Sequence, residues 1–188
     1  MKIYFLKTNS YDLRKDKADR YVYLCNVGLQ KIDPLPLNPN TLVIPTKYVV
    51  YSMLKRVSES LKHNQKQIYI PNCLLNEMIF DINSMCSEEE FNKLGSCLIR
   101  KRFCELFIKD ALPQKRLALF NQIKQFLNEV SKIKCEEITV ISHSFKLKLF
   151  EAYLKTNGQI ELQPELITNF IKYNEKTFEF NEGFEYVI

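Results

Sequence analysis

Residues 138–155, ITVISHSFKLKLFEAYLK, decide the fold. Ile138 to Ile141 is an apolar, β-branched run, which predicts a buried strand. Leu147 to Lys155 predicts a helix, and Gly158 stands where a left-handed residue would cap it. A buried strand followed directly by a helix is the repeating unit of a parallel sheet. Ser142, His143 and Ser144 lie between the two, at the carboxyl end of the strand, where open α/β sheets hold their ligands.

Working outward, strands and helices alternate along most of the chain. Ile3 to Leu6 is a second apolar run and predicts a strand at the start. Residues 7–20 are polar and charged, which predicts a loop, and Tyr21 to Cys25 predicts a short strand. KIDPLPLNPN, residues 31–40, carries three prolines in six residues and excludes regular structure there. TLVIPTKYVVYSMLKRVSESLKHN, residues 41–64, admits two registers. In one, a strand spans Tyr48–Ser52 and a helix follows over 53–62. In the other, the strand ends at Ile44 and a helix begins at Thr46, with Val50, Met53 or Leu54, Val57 and Leu61 as its apolar stripe.

Gln67 to Ile70 predicts a strand stopped by Pro71, with Leu74 to Glu77 in the loop beyond. Ser87-Glu88-Glu89-Glu90 is a capping box that opens a helix to about Lys109, interrupted weakly by Gly95. Phe91, Leu94, Leu98, Phe103 and Phe107 are its core contacts. Pro113 suits the first turn of a helix to about Lys132, with Leu117, Phe120, Ile123 and Leu127 on one face. Pro164 to Tyr173 allows another helix. KTFEFNEGFEYVI, residues 176–188, alternates around Asn181-Glu182-Gly183 and predicts a hairpin. The expected architecture is an α/β three-layer sandwich with a mainly parallel sheet.

Composition limits the function classes. The chain has 188 residues, 46% hydrophobic and 26% charged, which suits one globular domain. Its net charge of +5 comes from 27 basic and 22 acidic residues spread along the chain. That balance permits an anionic ligand and does not point to nucleic acid. No apolar run reaches membrane-spanning length. The run Ile3–Leu6 before Lys7 is too short for a secretory leader, so a cytoplasmic location is expected. Six cysteines without C-x-x-C spacing and two histidines give no basis for a metal site, and no cofactor is expected. The cysteines Cys25, Cys73, Cys86, Cys97, Cys104 and Cys135 are expected to be reduced.

The residues after the strands resemble the motifs of the histidine phosphatase superfamily, the group that includes the phosphoglycerate mutases. That family opens on a strand ending in Arg-His-Gly, where MKIYFL leads here into Lys7-Thr8-Asn9. Its Ser-Pro-Leu-x-Arg element is matched by Ser52-Met53-Leu54-Lys55-Arg56. Its Leu-x-Glu element is matched by Leu75-Asn76-Glu77, and its strand into Ser-His-Gly by ITVI before Ser142-His143-Ser144. The resemblance runs over nearly the whole chain, implying a single histidine-phosphatase-like domain over 1–188, with 80–115 as a lid-like insertion.

The resemblance implies roles. In the family a histidine attacks phosphorus, basic residues and a second histidine hold the phosphoryl oxygens, and a carboxylic acid protonates the leaving group. Carried over, Lys7, Thr8, Arg56 and His143 would bind phosphate, and His143 and Glu77 would be the catalytic pair. The departure is at the nucleophile: Thr8 stands where the attacking histidine belongs. Lys7 replaces an arginine, which turns a bidentate contact into a point charge. Asn9 replaces glycine.

The resemblance therefore implies a catalytically impaired pseudo-phosphatase that keeps an anion or phosphate pocket. Two alternatives stand beside it: an active phosphomonoesterase that uses His143 as nucleophile or base with Glu77 as acid, and a protein-interaction scaffold. The implied partner is a phosphorylated small molecule or a phosphoprotein, with no nucleic acid and no membrane. The apolar content of 80–115 (Phe80, Met85, Phe91, Phe103, Phe107) also allows a homodimer.

Without the resemblance, the same residues have plainer roles. Lys7 and Thr8 are loop residues, Glu77 a solvated carboxylate, and His143 a locally bonded helix start. Arg56 enters the pocket only in the first register; in the second it lies on the outer turns of a helix. His63 suits a helix end, where it would meet the dipole. Arg100-Lys101-Arg102 reads as a solvated helix face. Tyr4, Phe5, Phe178, Phe180 and Phe184 read as core or hairpin packing.

Overall fold

The strand read from Ile138–Ile141 is the centre of the sheet. In the computed structural model, which describes residues 1–8, 17–35, 42–61, 66–175, 177–178 and 181–188, it spans Glu137–Ser142. In chain order the elements are β1 (Lys2–Lys7), α1 (Lys17–Gly28), β2 (Tyr48–Tyr51), α2 (Lys55–Ser58) and β3 (Ile68–Pro71). They continue with α3 (Ile82–Met85), α4 (Glu88–Leu94), α5 (Ser96–Ile108), α6 (Arg116–Val130), β4 (Glu137–Ser142), α7 (Ser144–Lys155) and β5 (Gly183–Val187). The sheet order is β3-β2-β4-β1-β5. The first four are mutually parallel and β5 runs antiparallel to β1. The fold is α/β: a mixed, mostly parallel sheet flanked by helices.

Alternation along the strands separates two apolar clusters. Ile3, Phe5, Val50, Ile138 and Val140 join the main core with the helices. Val49 and Ile141 face the other way and meet Leu42, Val57 and Leu61. The 42–61 segment therefore covers the reverse face, and both faces of the central strands are dry, as parallel strands require.

Several elements differ from expectation. Residues 21–25 form no strand; they lie inside α1. Tyr21, Cys25 and Gly28 recur at helical spacing, and the Tyr21 hydroxyl donates to the Cys86 carbonyl at 2.6 Å. Gly28 is packed so closely that a Cβ would lie 2.8 Å from the Phe80 carbonyl oxygen. Of the two registers for 41–64, the first forms: Val50 sits in β2, and Met53 is exposed.

The capping box at Ser87 is present in full. The helix it opens stops at Gly95, whose φ of +60° turns the chain into a separate α5 and leaves Leu94 exposed. α6 begins at Arg116, and its buried face is Leu119, Phe120, Ile123, Phe126 and Val130. Leu117 is 67% exposed, because the stripe turns to seat Phe126 against Phe150, ring centroids 5.3 Å apart. Pro164–Asn169 is a 3₁₀ turn. The carboxyl-terminal strand pairs with β1, while most of the expected hairpin's first arm, Phe180 included, lies outside the described residues.

One residue expected on a solvated helix face turns inward. Arg100 is buried, donating to the Tyr173 carbonyl at 2.9 Å and to Ser96 Oγ at 3.2 Å. Phe80, Met85, Phe91, Phe103 and Phe107 belong to the main core. Among the described residues, no helix is long and apolar enough to cross a membrane.

Candidate functional site

The strand order brings distant motifs together. β4 lies between β1 and β2, so its carboxyl end stands between theirs. The ladder runs on past the strands: Thr8 N–H donates to the Ser142 carbonyl at 2.9 Å and Ser52 N–H to the Ile141 carbonyl at 3.0 Å. Thr8, Ser52 and His143 are thereby fixed along one edge, and α2 returns Arg56 to it.

His143 is buried, and both its ring nitrogens are engaged. Arg56 Nε–H donates to Nδ1 at 3.2 Å. A guanidinium nitrogen only donates, so Nδ1 is the bare nitrogen and Nε2 carries the proton. Nε2–H points at Ser52 Oγ, 2.8 Å away, and the Ser52 hydroxyl donates to Asn76 Oδ1 at 2.9 Å. Burial, with Arg56 and Lys146 nearby, holds the imidazole well below its ordinary pKa.

Arg56 is buried and anchored from several sides. Nη1 pairs with Asp33 Oδ1 at 3.1 Å. The other Asp33 oxygen accepts the backbone N–H of Lys55. Thr8 Oγ donates to the Arg56 carbonyl at 3.1 Å and Ser60 Oγ to the same oxygen at 2.7 Å. Lys7 Nζ donates to the Phe178 carbonyl at 2.8 Å.

Glu77 is partly exposed as a residue, but its carboxyl is enclosed. Oε1 accepts the backbone N–H of Met78 at 3.1 Å and of Lys146 at 3.0 Å. The second contact lies in the first turn of α7, so the carboxylate caps that helix from outside. Burial pushes the carboxyl above its ordinary pKa, against Arg56 and the amides. Lys146 is buried with Nζ on Gln122 Oε1 at 2.7 Å, and burial lowers it to about 8.

All five sequence-derived residues, Lys7, Thr8, Arg56, Glu77 and His143, line one cavity of about 370 Å³. Arg56 therefore faces the pocket, as the first register requires. Asn9 and His63 lie outside the described residues. Asp33 and Asn76 were missed. Asn76 lay in plain view between Leu75 and Glu77, whereas an aspartate in a proline-rich segment gives no sign of its partner 23 positions on. Arg20, Phe80, Phe91, Ile99 and Arg100 also line the cavity, and only the fold brings them there. Among the described residues no cluster of three metal-ligating side chains occurs.

No family model and no curated protein matches the chain. Solved structures similar to it include a candidate alpha-ribazole-5'-P phosphatase from Escherichia coli K-12, 16% identical, covering 82% of this chain and 79% of that one, TM-score 0.48. A phosphoglycerate mutase from Bacillus anthracis is 14% identical over 84% of this chain and 81% of its own, TM-score 0.41. A phosphoserine phosphatase variant from Entamoeba histolytica, in complex with phosphoserine, is 12% identical over 90% and 84%, TM-score 0.44. With TM-scores below 0.5 these likenesses add nothing to the fold assignment, which rests on the strand order above. The matched proteins are members of the histidine phosphatase superfamily.

Proposed function

We propose that the chain binds an organic phosphate in this cavity without turning it over through a phosphohistidine. One observation carries the reading: both nitrogens of His143 are already engaged, Nδ1 by Arg56 and Nε2 by Ser52. An imidazole in that state has no lone pair to direct at phosphorus. Just past β1, the buried Thr8 hydroxyl donates to the Arg56 carbonyl and not to a base. The anion pocket is supported by charge: among the described residues, Lys7, Arg20, Arg56 and Arg100 line the cavity with Glu77, and Asp33 pairs with Arg56 from outside the lining. Residues 80–115 form its lid, contributing Phe91, Ile99 and Arg100. The six free cysteines suit a reducing, cytoplasmic setting.

A second reading, an active phosphomonoesterase, is favoured by Glu77, whose raised carboxyl is what a general acid needs. It would require His143 to leave Arg56 or Ser52 first.

The test is hydrolysis of an aryl phosphate by the wild type and His143→Ala at several pH values, with thermal shift in phosphate and vanadate. The expected result is no turnover by either protein and a rise in Tm with either anion. Turnover that disappears in His143→Ala overturns the proposal and favours the second reading.

A further inference from the structure

The cavity has two unlike walls. Lys7, Thr8, Arg56 and His143 form one, along the carboxyl edge of the sheet. Leu24 and Val27 of α1, with Phe80, Phe91 and Ile99, form the other. That second wall is firmly built: Phe80 N–H donates to the Gly28 carbonyl at 2.8 Å, and Phe80 packs on Phe145 with ring centroids 4.8 Å apart. The volume of about 370 Å³ is roughly that of a dozen waters, well beyond a lone phosphate. A ligand body larger than phosphate therefore has room against the apolar wall.

Resting on the anion reading above, we infer that the ligand is a phosphate monoester with an apolar, ring-bearing or short-chain body, and not a polyhydroxylated one. A sugar or glycerol body would press hydroxyls against Val27, Phe80 and Ile99. Hydroxyls buried without partners are penalised strongly, whereas an aromatic body gains by leaving water. Arg100 alters this little: four of its five N–H groups are directed at Tyr173, Ser96 and Cys97. Arg20 is exposed and lies over the Phe91 ring, 5.9 Å from its centroid, so the wall carries a cation at that point, while Leu24, Val27, Phe80 and Ile99 keep it apolar elsewhere.

Calorimetric titration with phenylphosphonate, glycerol 2-phosphate, inorganic phosphate and phenol tests the inference. Phenylphosphonate is expected to bind at least tenfold tighter than glycerol 2-phosphate. In Leu24→Gln and in Ile99→Thr, that advantage is expected to fall at least threefold while inorganic phosphate binds as in the wild type. Two variants are used because Ile99 is buried and Leu24 only partly so. Equal or tighter binding of glycerol 2-phosphate overturns the apolar-body inference and leaves the anion pocket standing. Phenol binding as tightly as phenylphosphonate, or none of the anions binding, overturns the anion reading and the inference with it.

Discussion

Arg56 Nε–H donates to Nδ1 of His143 at 3.2 Å, and burial together with this contact keeps the imidazole uncharged. A protonated imidazole would turn a second N–H toward the guanidinium, so His143 is held neutral. Folding then opposes its protonation, and stability should fall as pH drops below the ordinary histidine value of 6.5. The expected loss from this group is up to about 1.4 kcal/mol per pH unit. Urea unfolding of wild type and His143→Gln at pH 7.5, 6.0 and 5.0 checks it: the stability difference between the two should shift steadily toward the variant as pH falls.

Lys146 titrates with the same logic at higher pH. Its folded pKa of about 8 lies below the ordinary 10.5, so the buried ammonium destabilises the fold below pH 8. That penalty is relieved as pH rises from 8 to 10.5, where the unfolded chain holds the proton longer. Lys146→Met should be most favourable relative to wild type at pH 7. Its advantage should shrink by about 3 kcal/mol by pH 10.5. Unfolding free energies of the two proteins across that range measure it.

Asp33 neutralises Arg56 from the side away from the cavity lining. Asp33→Asn keeps the size but removes the charge, leaving a buried guanidinium beside a neutral imidazole. Stability should fall by about 2 kcal/mol, less than for a fully buried pair because Asp33 is partly exposed. An anion in the cavity would then supply the missing charge. Phosphate should therefore raise the Tm of Asp33→Asn more than that of the wild type.

Gly183 starts β5 where the chain crosses Phe5. A Cβ there would lie 1.6 Å from the Phe5 carbonyl oxygen, so no side chain fits without moving the backbone of β1 or β5. Gly183→Ala should cost about 3 kcal/mol or more in denaturant unfolding, with the stacking of Phe184 on Phe5 lost.

Parallel strands were the most legible elements because they are buried on both faces and read as continuous apolar runs. β1 and β4 come straight from Ile3–Leu6 and Ile138–Ile141. The site residues followed because the carboxyl ends of strands can be found without side-chain detail. Helix boundaries were less legible where one residue outweighs a pattern. Gly95 breaks a capped, otherwise continuous helix through its positive φ, and Phe126 turns the buried stripe of α6 away from Leu117. YVYLC failed as a strand because its apolar residues fit two periods, and only packing against Phe80 and Cys86 selects the helix. Asp33 was invisible for another reason: ion pairs across loops follow from where the loops end, which no local pattern encodes.

The position of β4 also orders how the molecule comes into being. It is fourth in sequence yet central in space, and β1 and β2 touch it and not each other. A nascent chain still lacking Glu137–Ser142 has a lone amino-terminal strand and a separate β2–β3 pair, with no seam to join them. Closing that seam joins partners 135 positions apart in β1 and 90 apart in β2. Such long-range closure slows folding and leaves the strand edges open until late in synthesis. The carboxyl edge that Thr8, Ser52 and His143 share is thus assembled in a single event, when the last of its three strands is inserted.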